Sequence, residues 1–285
     1  MANITQLRQD IVFNNRLAGL LDALKSIAAQ QFQALERTLR QNPVFFDAIH
    51  TIAGTFDLER MSHPFTAGAG PTAVIAVTSD TGLLGGLNQQ VIAAAMQEFR
   101  RNPGEMLVIG ERGVSYVQEA RLPCRAFSSA ADDGARKALA VQVRDYALAQ
   151  VMAGRFGGLS IAHARALSFT VQRIELVRVL PCTEWLQGLT GPRGTRSGAV
   201  LMESNVASVL EYLVWLWLGQ KMIEVLEMSR LAEFAARSVH LEGSSQELSR
   251  RGKKLQLRYF RERRELIDRN IRELAAAKSL YGGAR

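Results

Sequence analysis

The two ends of this chain contain no proline: none occurs before Pro43 and none after Pro192. Along the first end, Leu17, Leu21, Leu24, Ala28, Gln31 and Leu35 step by four, three, four, three, four. That is the spacing of one helical seam with a single polar interruption. Near the other end, Leu248, Gly252, Leu255, Tyr259, Glu262 and Leu266 keep the same rhythm. Neither seam can bury itself alone, so the spacing predicts that the termini wind together as an antiparallel coiled coil projecting from whatever lies between them. A rod on a globular base suggests a mechanical part rather than a catalyst.

The middle of the chain alternates strand and helix signals. Helix is expected from about Ile4 to about Gln41, with a shorter piece through Phe45 to Phe56, and a loop from Ser62 to Pro71. Ala73 to Thr78 is a short β-branched apolar run, the pattern of a buried strand. Then follow a helix over Leu87–Arg101, a strand over Met106–Ile109, a helix over Val114–Glu119 and a helix over Asp133–Met152. Two further strands are expected over Ile161–Ser168 and Phe169–Leu180, a loop over Thr190–Gly198, and helix from about Glu203 to near Tyr281. This order predicts an α/β class with a Rossmann-like central domain and a largely parallel sheet. The expected domains are residues 1–58 and 203–285 for the paired terminal helices and 71–200 for the α/β layer.

A hydrophobic content of 47% permits at least one good core. Thirty-five Lys and Arg against 27 Asp and Glu give a formal charge of +8, which favours an acidic protein surface, nucleic acid or an anionic membrane without choosing among them. The most apolar run, Val206 to Leu218, is about half the length a membrane span needs and contains Glu211. The first residues lack the charged-then-apolar pattern of a signal peptide, so a cytoplasmic setting is expected. Two cysteines, Cys124 and Cys182, suit a reducing compartment.

Candidate chemistry is sparse. Ser79-Asp80-Thr81-Gly82-Leu83-Leu84-Gly85-Gly86-Leu87-Asn88 lies between a strand and a helix, where glycine-rich loops can cradle phosphate. It matches neither G-x-G-x-x-G nor G-x-x-x-x-G-K-[ST], and no acidic residue lies at the expected distance at the end of a second strand. The plainer role is structural: the glycines turn and pack closely, while Asp80 or Asn88 caps backbone amides. His50, His63, His163 and His240 lack metal-ligand spacing, and no G-x-S-x-G nucleophile elbow occurs. No catalytic residue, cofactor or metal is therefore expected. Trp215 and Trp217 are expected in the core, where the C-terminal helix crosses the α/β layer.

The densest feature is the basic run Arg250, Arg251, Lys253, Lys254, Arg258, Arg261, Arg263, Arg264, Arg269 and Arg272, relieved by Glu262, Glu265 and Asp268. On a helix it forms a positive collar around the seam, able to meet phosphates or rows of protein carboxylates, or simply to be solvated. Aromatic residues beyond Tyr259 and Phe260 are missing from it, which weakens the nucleic-acid version. From the residues alone, a mechanical shaft, a basic coiled-coil scaffold or nucleic-acid binder, and a nucleotide-dependent enzyme using the Gly82–Gly86 turn all stand.

The chain as a whole resembles the γ subunit of F-type ATP synthase. Ser79 to Asn88 is similar to the family's S-D-R-G-L-C-G-G-L-N at eight of ten positions, with Thr81 for Arg and Leu84 for Cys. Leu7-Arg8 through Ile11, then Ala23-Leu24 and Ile27-Ala28-Ala29, follow its N-terminal I-R-x-x-I and A-M-x-x-V-A-A. Ala235-Ala236-Arg237 resembles its A-A-R, and Leu255-Gln256-Leu257-Arg258-Tyr259 with Arg263-Arg264 and Ile267 resembles L-x-L-x-Y-N-x-x-R-Q-x-x-I-T. The likeness runs end to end and in order.

The resemblance implies a non-catalytic central shaft that turns within a head of α and β subunits, with the ε subunit and the membrane c-ring as further partners and no nucleic acid. It implies a peripheral position on the cytoplasmic face of the cell membrane and coupling of ion flow to ATP synthesis or hydrolysis. By the same resemblance, Arg258, Arg261, Arg263, Arg264, Asp268 and Asn270 would contact the head, Arg263 standing at the place of a family arginine that does so. Ser79, Asp80, Gly82, Gly85, Gly86 and Asn88 would be structural. The chain departs from the family at Gly19-Leu20-Leu21-Asp22, where the family has K-I-T-K, and at Arg264, Asp268 and Asn270, where it has Gln, Thr and Glu. These departures fit a diverged second copy of such a complex, for which an ATP-driven ion pump is one working mode beside synthesis.

Overall fold

The computed structural model describes residues 4–39, 44–54, 62–130, 132–182 and 204–282. In chain order the elements are α1 (Ile4–Leu39), α2 (Val44–Ala53), α3 (Pro64–Ala67), β1 (Thr72–Val77), α4 (Leu87–Arg101), β2 (Pro103–Ile109), α5 (Glu111–Glu119), β3 (Arg125–Phe127), α6 (Asp133–Met152), β4 (Gly158–Ala166), β5 (Gln172–Leu180) and α7 (Val206–Gly282). They divide into two compact units, Ala29–Arg237 and Met1–Ala28 with Ser238–Arg285.

In the larger unit the five strands lie in the order β3-β2-β1-β4-β5, parallel throughout except for the antiparallel β4–β5 pair. The central strand β1 shows why its sequence does not alternate. Ala73, Ile75 and Val77 enter one hydrophobic cluster, Val74 and Ala76 the opposite one, and both faces are buried. The first cluster is closed by α2, α6 and the Leu210–Leu226 stretch of α7; the second by α4, α5, Ala232 and Ala236. A third, smaller cluster joins Phe32 of α1 to Leu231, Phe234 and Ala235 of α7.

The α/β class and the mostly parallel sheet agree with expectation; several details differ. β3 escapes a periodicity search because it is three residues long with only Phe127 buried. Residues 62–71 are not all loop: His63 caps α3, its Nδ1 accepting the Phe65 amide at 3.3 Å. Phe169 is not in a strand. Residues 167–171 form the β4–β5 turn, in which Ser168 Oγ accepts the amides of Thr170 and Val171. Of Trp215 and Trp217, both expected in the core, only Trp217 is buried there. Trp215 is 39% exposed because its indole N–H is satisfied at the surface, donating to Asp145 Oδ1 at 3.2 Å, while Arg144 stacks on its ring. The loop expected over Thr190–Gly198 lies outside the described residues.

In the smaller unit the early part of α1 and the later part of α7 pair as an antiparallel coiled coil. Asn14 Nδ2 donates to the Leu248 carbonyl at 3.0 Å, Ser245 Oγ to Asp22 at 2.9 Å, and Lys25 Nζ to Glu242 at 2.7 Å, so position falls along one helix as it rises along the other. Leu248, Gly252, Leu255, Tyr259 and Glu262 are partly or fully buried, as the seam requires, whereas Leu266 is exposed. The buried Asn14 faces Gly252, where a side chain would crowd its amide nitrogen at 2.9 Å. On α1, Ala28 is buried but Gln31 is not; one residue on, Phe32 is buried within the larger unit.

Candidate functional site

The glycine loop between β1 and α4 is bonded mainly to itself and its neighbours. Ser79 N donates to Asn88 Oδ1 at 3.3 Å, Asn88 Nδ2 returns a bond to Ser79 Oγ at 2.8 Å, and the Ser79 hydroxyl donates to the Thr81 carbonyl. Asp80 Oδ1 accepts the Glu111 amide at 2.9 Å and thereby caps the start of α5. Gly85 takes a left-handed conformation, φ 59°, which glycine adopts without strain. Leu84 and Leu87 fill the core. Next to the loop, Thr78 Oγ1 donates to the Ile109 carbonyl at 2.6 Å and accepts the Gly113 amide at 3.1 Å. A Cβ on Gly113 would lie 2.3 Å from that hydroxyl, so the close crossing of β1 and α5 needs glycine. Ser79, Asp80 and Asn88 spend their polar atoms on protein partners, and Gly82 and Gly86 shape the turn between them.

The loop also meets α7. Arg237 Nη2 donates to Thr81 Oγ1 at 2.6 Å. Four residues earlier Glu233, 5% exposed, lies 2.8 Å from Arg230 and 4.0 Å from Arg237. Burial pushes the Glu233 carboxyl up, and the two guanidinium groups oppose that shift. Sequence spacing places Arg230, Glu233 and Arg237 on one helix face, but nothing in it pairs them with residue 81.

The basic run lies along α7. Arg258, Arg261, Arg263, Arg264, Asp268 and Asn270 are all exposed, and among the described residues none of these four arginines forms an ion pair. A second pattern, not apparent from the seam, accompanies them. Leu257, Phe260, Arg264, Ile267, Ile271 and Leu274 step by three, four, three, four, three, and every one is exposed. A heptad count on the face beside the seam would have found it. It is an apolar stripe interrupted by Arg264, on a helix whose seam is last half-buried at Glu262. Isolated hydrophobics on a surface need no explanation, but a repeating row of them is the mark of a contact surface.

Elsewhere, potential chemistry is spent on structure. His63 Nδ1 accepts an amide, so its Nε2 carries the proton toward Glu211 Oε1 at 3.2 Å. His163 is buried, with Nδ1 against the Ala164 carbonyl, and burial holds its pKa below the usual histidine range. Burial pushes the Cys182 thiol up to about 12 and also raises Cys124. Among the described residues no three His, Cys, Asp or Glu side chains gather into a metal site, and no helix is long and apolar enough to cross a membrane.

Comparison with known proteins gives one answer. A family model described as ATP synthase matches residues 3–280. The ATP synthase gamma chain of Clostridium acetobutylicum is 24% identical over 262 residues, covering 90% of each chain. That of Paraburkholderia phymatum is 23% identical over 293 residues, covering 96% of this chain and 98% of the relative. Among solved structures, a chain of the Euglena gracilis mitochondrial ATP synthase OSCP/F1/c-ring assembly superposes with a TM-score of 0.70 at 15% identity, over 98% of this chain and 94% of that one. A chain of the Tetrahymena thermophila mitochondrial ATP synthase central stalk and c-ring gives 0.59 at 19% identity, over 79% and 99%. With its sheet order, its antiparallel terminal helices and a match from residue 3 to residue 280, this chain belongs to the gamma-chain family of ATP synthase.

Proposed function

We propose that this chain is the central rotor shaft of an F-type ATP synthase or ATPase, carrying no active site of its own. Its partners on this reading are the α and β subunits of the catalytic head, the ε subunit and the membrane c-ring. It is held peripherally at the cytoplasmic face of the membrane through that complex and couples ion translocation to ATP synthesis or hydrolysis. The single observation that carries this most directly is the stretch of α7 from Leu257 to Leu274, where exposed apolar residues recur at heptad spacing beside Arg258, Arg261, Arg263 and Arg264, which form no ion pair among the described residues. Such a surface is built to be sheathed by other chains.

The physics of coupling asks only for differential contact. An asymmetric shaft favours one head conformation at one angle and another at the next, and the free-energy difference between those contacts moves the sites through their affinities. On the present surface the stripe supplies apolar contact, and Arg258, Arg261, Arg263 and Arg264 supply long-range attraction to carboxylates. Asp268 and Asn270 lie among these contacts. The scaffold or nucleic-acid alternative gains no support from the relatives.

The test replaces Arg263 and Arg264 together with Ala in the assembled complex. Assembly with head subunits should persist while ions moved per unit time fall at saturating ATP. Unchanged coupled turnover would make the collar solvated surface, and a chain that never co-purifies with head subunits would remove the rotor assignment itself.

A further inference from the structure

Helix α7 is held in the larger unit mostly by apolar contacts, from Leu210 through Leu226 on one side of the sheet and through Ala232, Ala235 and Ala236 further along. Such contacts are strong but non-directional, and small residues such as alanine offer little to stop a helix turning about its own axis. Directed bonds hold the start of this stretch, between Glu211 and His63 and from Trp215 to Asp145, and then its end at Arg237, the last residue of that unit. Its guanidinium donates to the Thr81 hydroxyl at 2.6 Å and lies beside the buried Glu233, which is itself bonded to Arg230 at 2.8 Å. Thr81 is fixed in turn, because its carbonyl accepts the Ser79 hydroxyl and the neighbouring Asp80 is committed to the Glu111 amide. Directed bonds therefore run from α7 through Thr81 and Asp80 to the start of α5.

We infer that Arg237, oriented by Glu233 and anchored on Thr81, is a torsional clamp that sets the rotational position of α7 against the α/β sheet and keeps it from slipping under load. The inference rests on the rotor reading and deepens it: Arg230, Glu233, Arg237 and Thr81 are positioning residues for coupling rather than contacts to the head. Threonine stands here where the related motif has arginine, so the hydroxyl acceptor belongs to this chain. A second cation at position 81 could not accept a bond from Arg237. A buried carboxylate and half-buried guanidinium groups held by directional bonds define one geometry, whereas the apolar packing beside them tolerates small rotations.

The experiment uses the complete membrane complex carrying wild-type chain, Thr81→Val, Thr81→Ser or Arg237→Lys, with ATP hydrolysis and ion pumping measured on the same vesicles. Valine keeps the shape and deletes the acceptor, serine restores it, and lysine keeps the charge beside Glu233 while losing the rigid planar guanidinium that aims Nη2 at the Thr81 hydroxyl. The clamp predicts that Thr81→Val assembles normally and hydrolyses ATP at the wild-type rate, yet moves fewer ions per ATP by about twofold or more, the scale of one coupling residue. Thr81→Ser should recover the ratio. An unchanged ratio in Thr81→Val overturns the clamp. Should Thr81→Val fail to assemble, Arg237→Lys decides: a lowered ratio supports the clamp and an unchanged one overturns it. Failure of the wild-type complex to pump at all would count against the rotor reading instead.

Discussion

Replacing Phe32 with Ala should weaken the larger unit far more than replacing the residue before it. Phe32 is 5% exposed, packs on Leu231, Phe234 and Ala235, and meets Phe169 edge-on with ring centroids 5.1 Å apart at 78°. Truncating a buried phenylalanine costs about 3–5 kcal/mol, the spread reflecting how well the site closes or fills. Here one side of the ring borders an open groove of about 450 Å³ lined by Ala29, Gln33, Glu36, Leu167 and Phe169, so water can enter the space left behind. That places the loss near the lower end, about 3 kcal/mol. Gln31 is exposed, and Gln31→Ala should stay within about 0.5 kcal/mol. Urea unfolding followed by tryptophan fluorescence, to which Trp215 and Trp217 contribute, gives both values. The double variant Phe32→Ala/Phe169→Ala should fall short of additivity by about 1 kcal/mol, the worth of an edge-to-face pair. A loss below about 1 kcal/mol for Phe32→Ala would refute the packing argument, as would equal effects at positions 31 and 32.

Three further outcomes follow from the same structure. Gly113→Ala gains helix propensity in α5, yet its Cβ would fall 2.3 Å from Thr78 Oγ1; overpacking should dominate and lower stability by about 1–3 kcal/mol in a denaturant melt. Stability should fall as pH drops below about 6.5, because burial lowers the folded-state pKa of His163 while the unfolded histidine takes up a proton there. Glu175, Lys221 and Glu224 face that ring, and a His163→Gln variant should flatten the slope between that pH and the lower folded-state value, as read from unfolding at several pH values. Ile271→Glu, on the exposed stripe, should leave the melting temperature of the isolated chain unchanged but reduce recovery with head subunits in a pull-down.

The layer architecture was legible because its signals are redundant. β1, β2 and β4 carry apolar runs too long for one-sided burial, and Pro103, Gly110 and Gly154 punctuate the helices between them. The antiparallel pairing of the termini was legible from the seam through Leu248, Gly252, Leu255 and Tyr259. What sequence could not carry is what depends on distance. Phe32 replaces Gln31 on the buried face because α1 there meets Phe169 and Phe234, residues far away in the chain. Trp215 is held at the surface by Asp145 and Arg144 of α6, partners no local pattern announces. The glycine loop was recognisable as a motif, whereas its link to Arg237 spans more than half the chain. Leu266 reads as seam but is exposed, one step beyond Glu262, the last half-buried seam position.

A shaft that turns inside a catalytic head can be watched turning. The complex would be purified from native membranes through this chain, immobilised by the head, and a probe on the chain followed during ATP hydrolysis. The rotor account predicts that head subunits accompany the chain and that the probe rotates in one direction, stopping when ATP is withdrawn. Hydrolysis by the purified complex with a stationary probe, or recovery of the chain without head subunits, would contradict it.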